Sequence, residues 1–301
     1  MNSLTRLALA SSFALVAACG GTAAGVDDSS APGGPGGGSG SGNEEPGKPG
    51  EPIKAGPGTG AQVTLSLRGV VTPIAHADKF ASQTPIRQTV AIKSFYLYKT
   101  ATDPNPLLVA DLGATSVPTD LVSGKTSDIT TVALKTLPAG TYTIAKVGVA
   151  YVSYRIAARL HNGSATDGRY DNVEALSDGV LVEGKPRNKG WFSSSFGIGD
   201  TTYATYEGKD APLPQLPSSG GMTLETSGPN AFYVFPMNVT IDPNETKDQR
   251  VVCEVNVHES FRWQDQATSS YAANVFDTTP TTYEPVMSFG ASAFALFLEP
   301  K

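Results

Sequence analysis

The sequence predicts an all-β protein: an antiparallel β sandwich with long loops, preceded by a disordered Gly- and Pro-rich tether. Three observations carry this expectation. Apolar and polar residues alternate in Val63-Thr64-Leu65-Ser66-Leu67-Arg68, and again from Tyr233 to Ile241 and from Val251 to Val257, as in strands that bury one face. No segment repeats apolar residues convincingly at i, i+3, i+4 and i+7, so helices are not expected. The composition also divides: residues 20 to 60 hold 15 of the 32 Gly and 6 of the 22 Pro and no aromatic, which leaves 24 of the 25 aromatics to residues 61 to 301.

The first element is an export signal over residues 1 to 18. Met1 to Arg6 is short and positive, Leu7 to Val16 is an apolar run, and Ala17 and Ala18 are small. Ten residues rise about 15 Å as a helix, half of a hydrocarbon core of about 30 Å. Leu15-Val16-Ala17-Ala18-Cys19 resembles the lipobox of bacterial lipoproteins, with Val16 where Leu is commoner. The resemblance implies that Cys19 is acylated and becomes the new N-terminus. It also implies a bacterial cell-envelope protein held on the membrane by its N-terminal lipid, and Gly20 rather than Asp after the Cys implies the outer membrane. One acyl chain anchors only reversibly, at about 0.8 kcal/mol per buried methylene, whereas the two or three chains of such lipoproteins hold permanently.

The tether, from Cys19 to Gly60, has too little apolar surface to offset the entropy of ordering it. A Gly-rich coil of that length spans roughly 35 Å. Its five acids (Asp27, Asp28, Glu44, Glu45, Glu51) outnumber Lys48 and Lys54, so anionic lipid does not attract it.

Residues 61 to 301 form the folded body, with a possible subdivision near 157 to 178. Strands are expected over Val63 to Val71, Thr89 to Tyr98, Pro106 to Leu112, Asp128 to Leu134, Thr141 to Ile156, Gly179 to Glu183 and Val286 to Leu298. Tyr233 to Ile241 and Val251 to Val257 are expected to form an antiparallel hairpin. Pro236 cannot donate to a ladder, which places it at an edge or a bulge. Residues 157 to 230, rich in small and polar residues, are expected to be mostly long loops. The heptapeptide Leu137-Pro138-Ala139-Gly140-Thr141-Tyr142-Thr143 resembles the turn before a strand in prealbumin-like and carbohydrate-binding-like bacterial surface domains. That resemblance covers about residues 61 to 156 and implies a sandwich fold, which does not fix a function.

Several chemistries are disfavoured. A formal charge of -6 argues against nucleic acid as a partner, and two Cys make neither a disulfide scaffold nor a Cys-based zinc site. The three His, at 76, 161 and 258, lie at no ligand spacing, and His258 reads as a surface residue. Asp242, Asn244, Thr246 and Asp248 place oxygens at alternate positions, as Ca²⁺ loops do, but Lys247 and Cys253 stand where such loops carry Gly and Glu. A polar hairpin turn explains the same residues without metal. Cys253, among valines, reads as a buried thiol. There is no G-x-S-x-G elbow, and Asp167, Asp171, Glu174 and Asp178 are scattered acids that glycoside hydrolysis would require to pair. No catalytic residue and no cofactor is assigned.

Binding is the better supported expectation. Trp191 and Phe192, then Tyr203 and Tyr206, and separately Phe261, Trp263 and Tyr271 near Arg262, fall in stretches expected to be loops. Rings exposed there stack on sugars or anchor protein contacts; rings turned inward cap the sandwich. The chain therefore reads as a lipid-anchored envelope protein acting as a noncatalytic binding or structural module, with carbohydrate or an envelope protein as the possible partner. An envelope hydrolase and an accessory lipoprotein subunit of an envelope complex are the alternatives.

Overall fold

The computed structural model describes residues 51 to 301 except 57, 212, 215 to 221, 267 and 269. The leader, Cys19 and the tether as far as residue 50 lie outside the described residues. The strands, in chain order, are β1 (Ile53–Lys54), β2 (Gln62–Val70), β3 (Ala81–Gln83), β4 (Arg87–Tyr98), β5 (Leu107–Asp111), β6 (Val117–Asp120), β7 (Thr126–Ala133), β8 (Gly140–Asn162), β9 (Ser164–Ala175) and β10 (Val180–Val182). They continue as β11 (Lys185–Arg187), β12 (Phe192–Ile198), β13 (Thr201–Gly208), β14 (Thr223–Ser227), β15 (Asn230–Ile241), β16 (Gln249–Asn256), β17 (Phe261–Trp263), β18 (Asp277–Thr278), β19 (Val286–Ser288) and β20 (Ala293–Pro300). Among the described residues the only helical element is a 3-10 turn at Leu134–Thr136. The protein is all-β.

β8 organises these strands. Its 23 residues extend roughly 75 Å at about 3.3 Å per residue, and β4 pairs along one side of it from Ile144 to Arg155. On the other side β15 pairs with the first half, Gly140 to Val149, and β9 with the second, Tyr151 to Asn162. The result is an 11-stranded sheet whose main path runs β1-β5-β4-β8-β9-β12-β13. A four-stranded sheet, β20-β16-β2-β7, covers the first half of β8. Val63, Leu65, Leu67, Val251, Cys253 and Val255 from this sheet meet Val90, Val147, Val149, Tyr233 and Phe235 in the principal core. A three-stranded sheet, β19-β17-β3, covers the second half, where Phe261 and Trp263 meet Tyr154, Ile156, Tyr170 and Phe196 in a second core.

The expected hairpin of β15 and β16 does not form. β15 lies in the large sheet beside β8 and β14, whereas β16 crosses to the opposite sheet between β20 and β2. β16 is parallel to β2, pairing Val251 with Leu65 and Asn256 with Val70. Two local facts account for the crossing. Asp248 Oδ1 accepts the Gln62 amide at 2.9 Å, which draws the start of β16 to the start of β2. Val251, Val252 and Cys253 are consecutive buried residues, as in a strand covered on both faces. Pro236 sits at a bulge, where the pairing with β8 shifts register between Pro236 and Val239.

Residues 157 to 230 are not mostly loops. They contain the rest of β8 and the meander β9-β12-β13. Their polarity has a physical cause, since β13 is exposed along nearly its whole length and β9 is largely exposed at its start. Neither strand offers the apolar alternation of a covered sheet. Residues 157 to 175 lie on the β8–β9 hairpin, and 176 to 178 follow it. The expected strand from Val286 to Leu298 is interrupted at Phe289 to Ser292 and serves two sheets, as β19 and β20.

The Leu137-to-Thr143 turn explains its own sequence. Gly140 takes φ of 141°, in the region that favours glycine. Tyr142 is 1% exposed, and its hydroxyl donates back to the Pro138 carbonyl at 3.0 Å. Burial raises the phenol to about 12. Tyr142→Phe deletes that bond and leaves the ring in place; it is expected to lower the unfolding free energy by about 1 kcal/mol, measured by urea titration. An unchanged midpoint would show that the hydroxyl adds nothing to the corner.

Candidate functional site

The open side of the second half-sandwich carries a groove of about 610 Å³, within the range of ligand sites. One wall is the free end of the large sheet: Phe192, Ser194 and Phe196 of β12 and Ala204 and Tyr206 of β13 line it. Register places them together, because Ser194 pairs with Tyr206 and Phe196 with Ala204, and alternate residues share a face. Tyr170 of β9, opposite Phe196, continues that face. The other wall is Thr278-Thr279-Pro280-Thr281-Thr282-Tyr283.

That second wall is a tight hydroxyl-rich hairpin. Thr279 donates its amide to the Thr282 carbonyl at 2.7 Å, the two hydroxyls lie 2.8 Å apart, and the Thr278 hydroxyl also donates to the Thr282 carbonyl, at 3.0 Å. Two buried carboxylates fix its base. Glu284 accepts the Gln266 and Asp277 amides, and burial raises its pKa. Asp277, 0% exposed, meets His161 Nε2 at 2.6 Å and accepts the Ala272 amide. The hairpin is thereby held to β8, with which β18 pairs in parallel.

Among the described residues the groove's lining combines aromatic rings with hydroxyls and carries no charged side chain. Tyr206 is 67% exposed and Tyr283 57%, so both rings present area to solvent. Phe192 packs at 5.6 Å from Tyr206, and Tyr170 at 6.3 Å from Tyr283. The floor is polar and tied, with the Ser194 hydroxyl donating to Asn172 Oδ1 at 2.7 Å.

Of the aromatics singled out in the sequence, Phe192 and Tyr206 line this groove, and Phe261 is buried in the second core. Tyr203 is exposed but stands at the β12–β13 irregularity, where pairing passes from Ala204 to Thr202, outside the lining. Trp191 is half-buried and has the Arg187 guanidinium 3.8 Å from its ring centre, an arrangement that occupies its face. Tyr271 packs on His161 at 4.8 Å. Trp263 corrects the expectation of an exposed loop ring: it is 1% exposed, on β17, packed against Phe261 and Phe276. Tyr283 and Tyr170 went unmarked in the sequence. The signal for Tyr283 was the turn-prone run of threonines around Pro280, which ends in a tyrosine.

The acids do not converge. Asp167 and Asp171 lie on the face of β9 opposite Glu174, paired with Arg159 and Arg155 at 2.6 Å each, and Asp178 accepts the Lys189 amide. The Ca²⁺ candidates make local hydrogen bonds. Asp242 Oδ1 accepts the Asn244 amide and Glu245 takes the amides of Thr246 and Lys247, the hydrogen bonds of a polar turn, and Asp248 accepts the Gln62 amide. Cys253 is buried and its thiol is raised to about 12. His258 is half-buried rather than a surface residue. Among the described residues, one group of three has the donors for a metal ion: His76, His258 and Glu259.

In comparisons with protein-family models, curated proteins and solved structures, nothing matches this chain.

Glu174 neighbours the groove, pairing across to Phe192. It is 2% exposed, its Oε1 has no hydrogen-bond partner, and burial pushes its pKa up to about 8. An unfolded Glu ionises near 4.5, so between these values the folded state holds the extra proton. The contribution of Glu174 is therefore fully present below 4.5 and declines as pH rises through about 8. Urea unfolding at pH 5 and pH 8.5 is expected to show a loss on the order of a few kcal/mol in the wild type that Glu174→Gln reduces. Equal losses in the two proteins would contradict a neutral buried Glu174.

Proposed function

We propose that this chain is a lipid-anchored protein of the bacterial cell envelope whose β sandwich is a noncatalytic binding module for an uncharged carbohydrate chain. The observation that carries the ligand class is the groove between β12–β13 and the Thr278-to-Tyr283 hairpin. It joins rings exposed on both walls to a set of hydroxyls and, among the described residues, has no charged side chain in its lining. Sugar rings offer apolar C–H faces to aromatic rings, and their hydroxyls exchange hydrogen bonds with Ser and Thr, which both donate and accept. A charged polymer would leave its charges without partners here.

The location rests on Leu15-Val16-Ala17-Ala18-Cys19 and the Gly-rich stretch that follows. Acyl chains on Cys19 would fix the place, and the tether would give the sandwich reach. Cys19→Ser is expected to move the protein from the membrane fraction to the soluble fraction, and mass spectrometry of wild-type protein is expected to show an acylated Cys19 N-terminus. An unmodified thiol on the native protein would remove the anchor from this proposal.

A second reading, the accessory subunit of an envelope complex, has one observation in its favour. β13 ends the large sheet, and it is exposed and uncharged from Thr201 to Tyr206, an edge on which a partner strand could add. Calorimetry with neutral oligosaccharides chosen from a glycan-array screen separates the two. Tyr206→Ala and Tyr283→Ala are each expected to weaken sugar binding about tenfold, or about 1.4 kcal/mol, and Tyr203→Ala to leave it unchanged. If no neutral glycan is retained, or if Tyr203→Ala weakens binding equally, the sugar reading fails.

A further inference from the structure

We propose that His76, His258 and Glu259 form a binding site for a divalent transition ion of the zinc type, which staples two loops at one end of the sandwich. The parallel pairing of β2 with β16 brings the residues together. Because these strands run the same way, both chains leave at the same end. The Asn256 side chain donates to the Thr72 carbonyl at 2.8 Å, and the Val257 amide to the Val70 carbonyl at 2.8 Å. Residues 182 apart in sequence thus become neighbours.

The donors suit the ion. One ligand atom from each of the three lies within 4.8 Å of the others, and His76 Nε2 is 3.7 Å from Glu259 Oε2. Donors around a tetrahedral zinc lie about 3.3 Å apart, given bonds of roughly 2.0–2.1 Å, so closure needs only small side-chain shifts. Two imidazoles and a carboxylate are the ligand set of three-residue zinc sites that leave a fourth position open, and imidazole also suits copper, nickel and iron.

Two ring nitrogens wait without partners. His76 Nε2 and His258 Nδ1 are buried and make no hydrogen bond, an arrangement that costs free energy unless something binds there. Arg262 is held by Asp78, so Asp78, Arg262 and Glu259 leave one net negative charge beside the two rings.

The backbone is also set for convergence. In an extended chain the adjacent His258 and Glu259 would point to opposite sides, but Glu259 adopts φ of 49° and both reach His76. The Ser292 hydroxyl donates to the His258 carbonyl at 2.7 Å, and the Glu259 amide donates to the Thr84 hydroxyl at 2.9 Å. Both ligand residues are thus fixed from outside their own loop, as a preorganised site requires.

The test is a Co²⁺ titration of the full processed chain, carrying no histidine tag, followed through the visible d–d bands and by displacement with Zn²⁺. One ion per chain is expected at micromolar or lower concentration. His76→Ala and Glu259→Gln should each weaken binding at least about tenfold, the scale on which disturbing a metal site acts, and His161→Gln should not. Should the His76 variant fail to fold, Glu259→Gln decides alone, its side chain being the more exposed of the two. Binding only at millimolar ion, or binding unaltered in a folded His76 or Glu259 variant, would overturn the site.

Discussion

The structure depends on one strand serving two cores. β8 pairs with β4 from Ile144 to Arg155 while its other edge changes partner from β15 to β9. Buried side chains run without interruption from Val147 to Ala150, where the partner changes. A break there would separate the principal sandwich from the half-sandwich that carries the groove. The sheet is therefore continuous where the covering layers are not: Val149 and Val152 belong to the first core, and Tyr154, Ile156 and Ala158 to the second.

The second constraint is the parallel pair β2–β16. In an antiparallel arrangement the Thr72-to-Asp78 segment and the His258–Glu259 turn would leave at opposite ends. Parallel register puts them side by side, and the Asp248 carboxylate that sets the register starts it at the other end, on Gln62. The same crossing frees β15 to pair with the first half of β8. One side chain in a turn that resembled a calcium loop thus contributes to the topology of both sheets.

Much of the fold was legible because covered strands alternate. The segments read as strands around Val63, Thr89, Pro106, Asp128 and Thr141 correspond to β2, β4, β5, β7 and β8. What was not legible follows from the same rule. β9 and β13 carry exposed residues where alternation would be read, so the meander that forms one wall of the groove resembled loop. Pairing partners were also hidden, since alternation in β15 and β16 says that each buries a face but not against which sheet. Trp263 lies in a short strand followed by polar residues, and nothing local shows that Phe276 and Phe261 enclose it. The His cluster was invisible for a different reason: its spacing is set by a strand pairing and not by the chain between its members.

Polar atoms buried without partners are distributed unevenly. Among the described residues they include His76, His258, Glu174, Arg262, the Trp263 indole and Asp265. Most such groups lie in the loops beyond β2 and β16 or in the second half-sandwich, whereas Arg250 stands on β16 and Thr119 on β6. Such groups weaken a fold by about 1–3 kcal/mol each, a burden that a marginally stable domain tolerates where other interactions hold the chain. Here the principal core and the continuous β8 provide that hold. Most of the unpaired groups thus fall in the loops beyond β2 and β16 and in the half-sandwich that bears the groove. A sandwich evolved for support alone would have little reason to keep ring nitrogens without hydrogen-bond partners and a protonated carboxyl inside it.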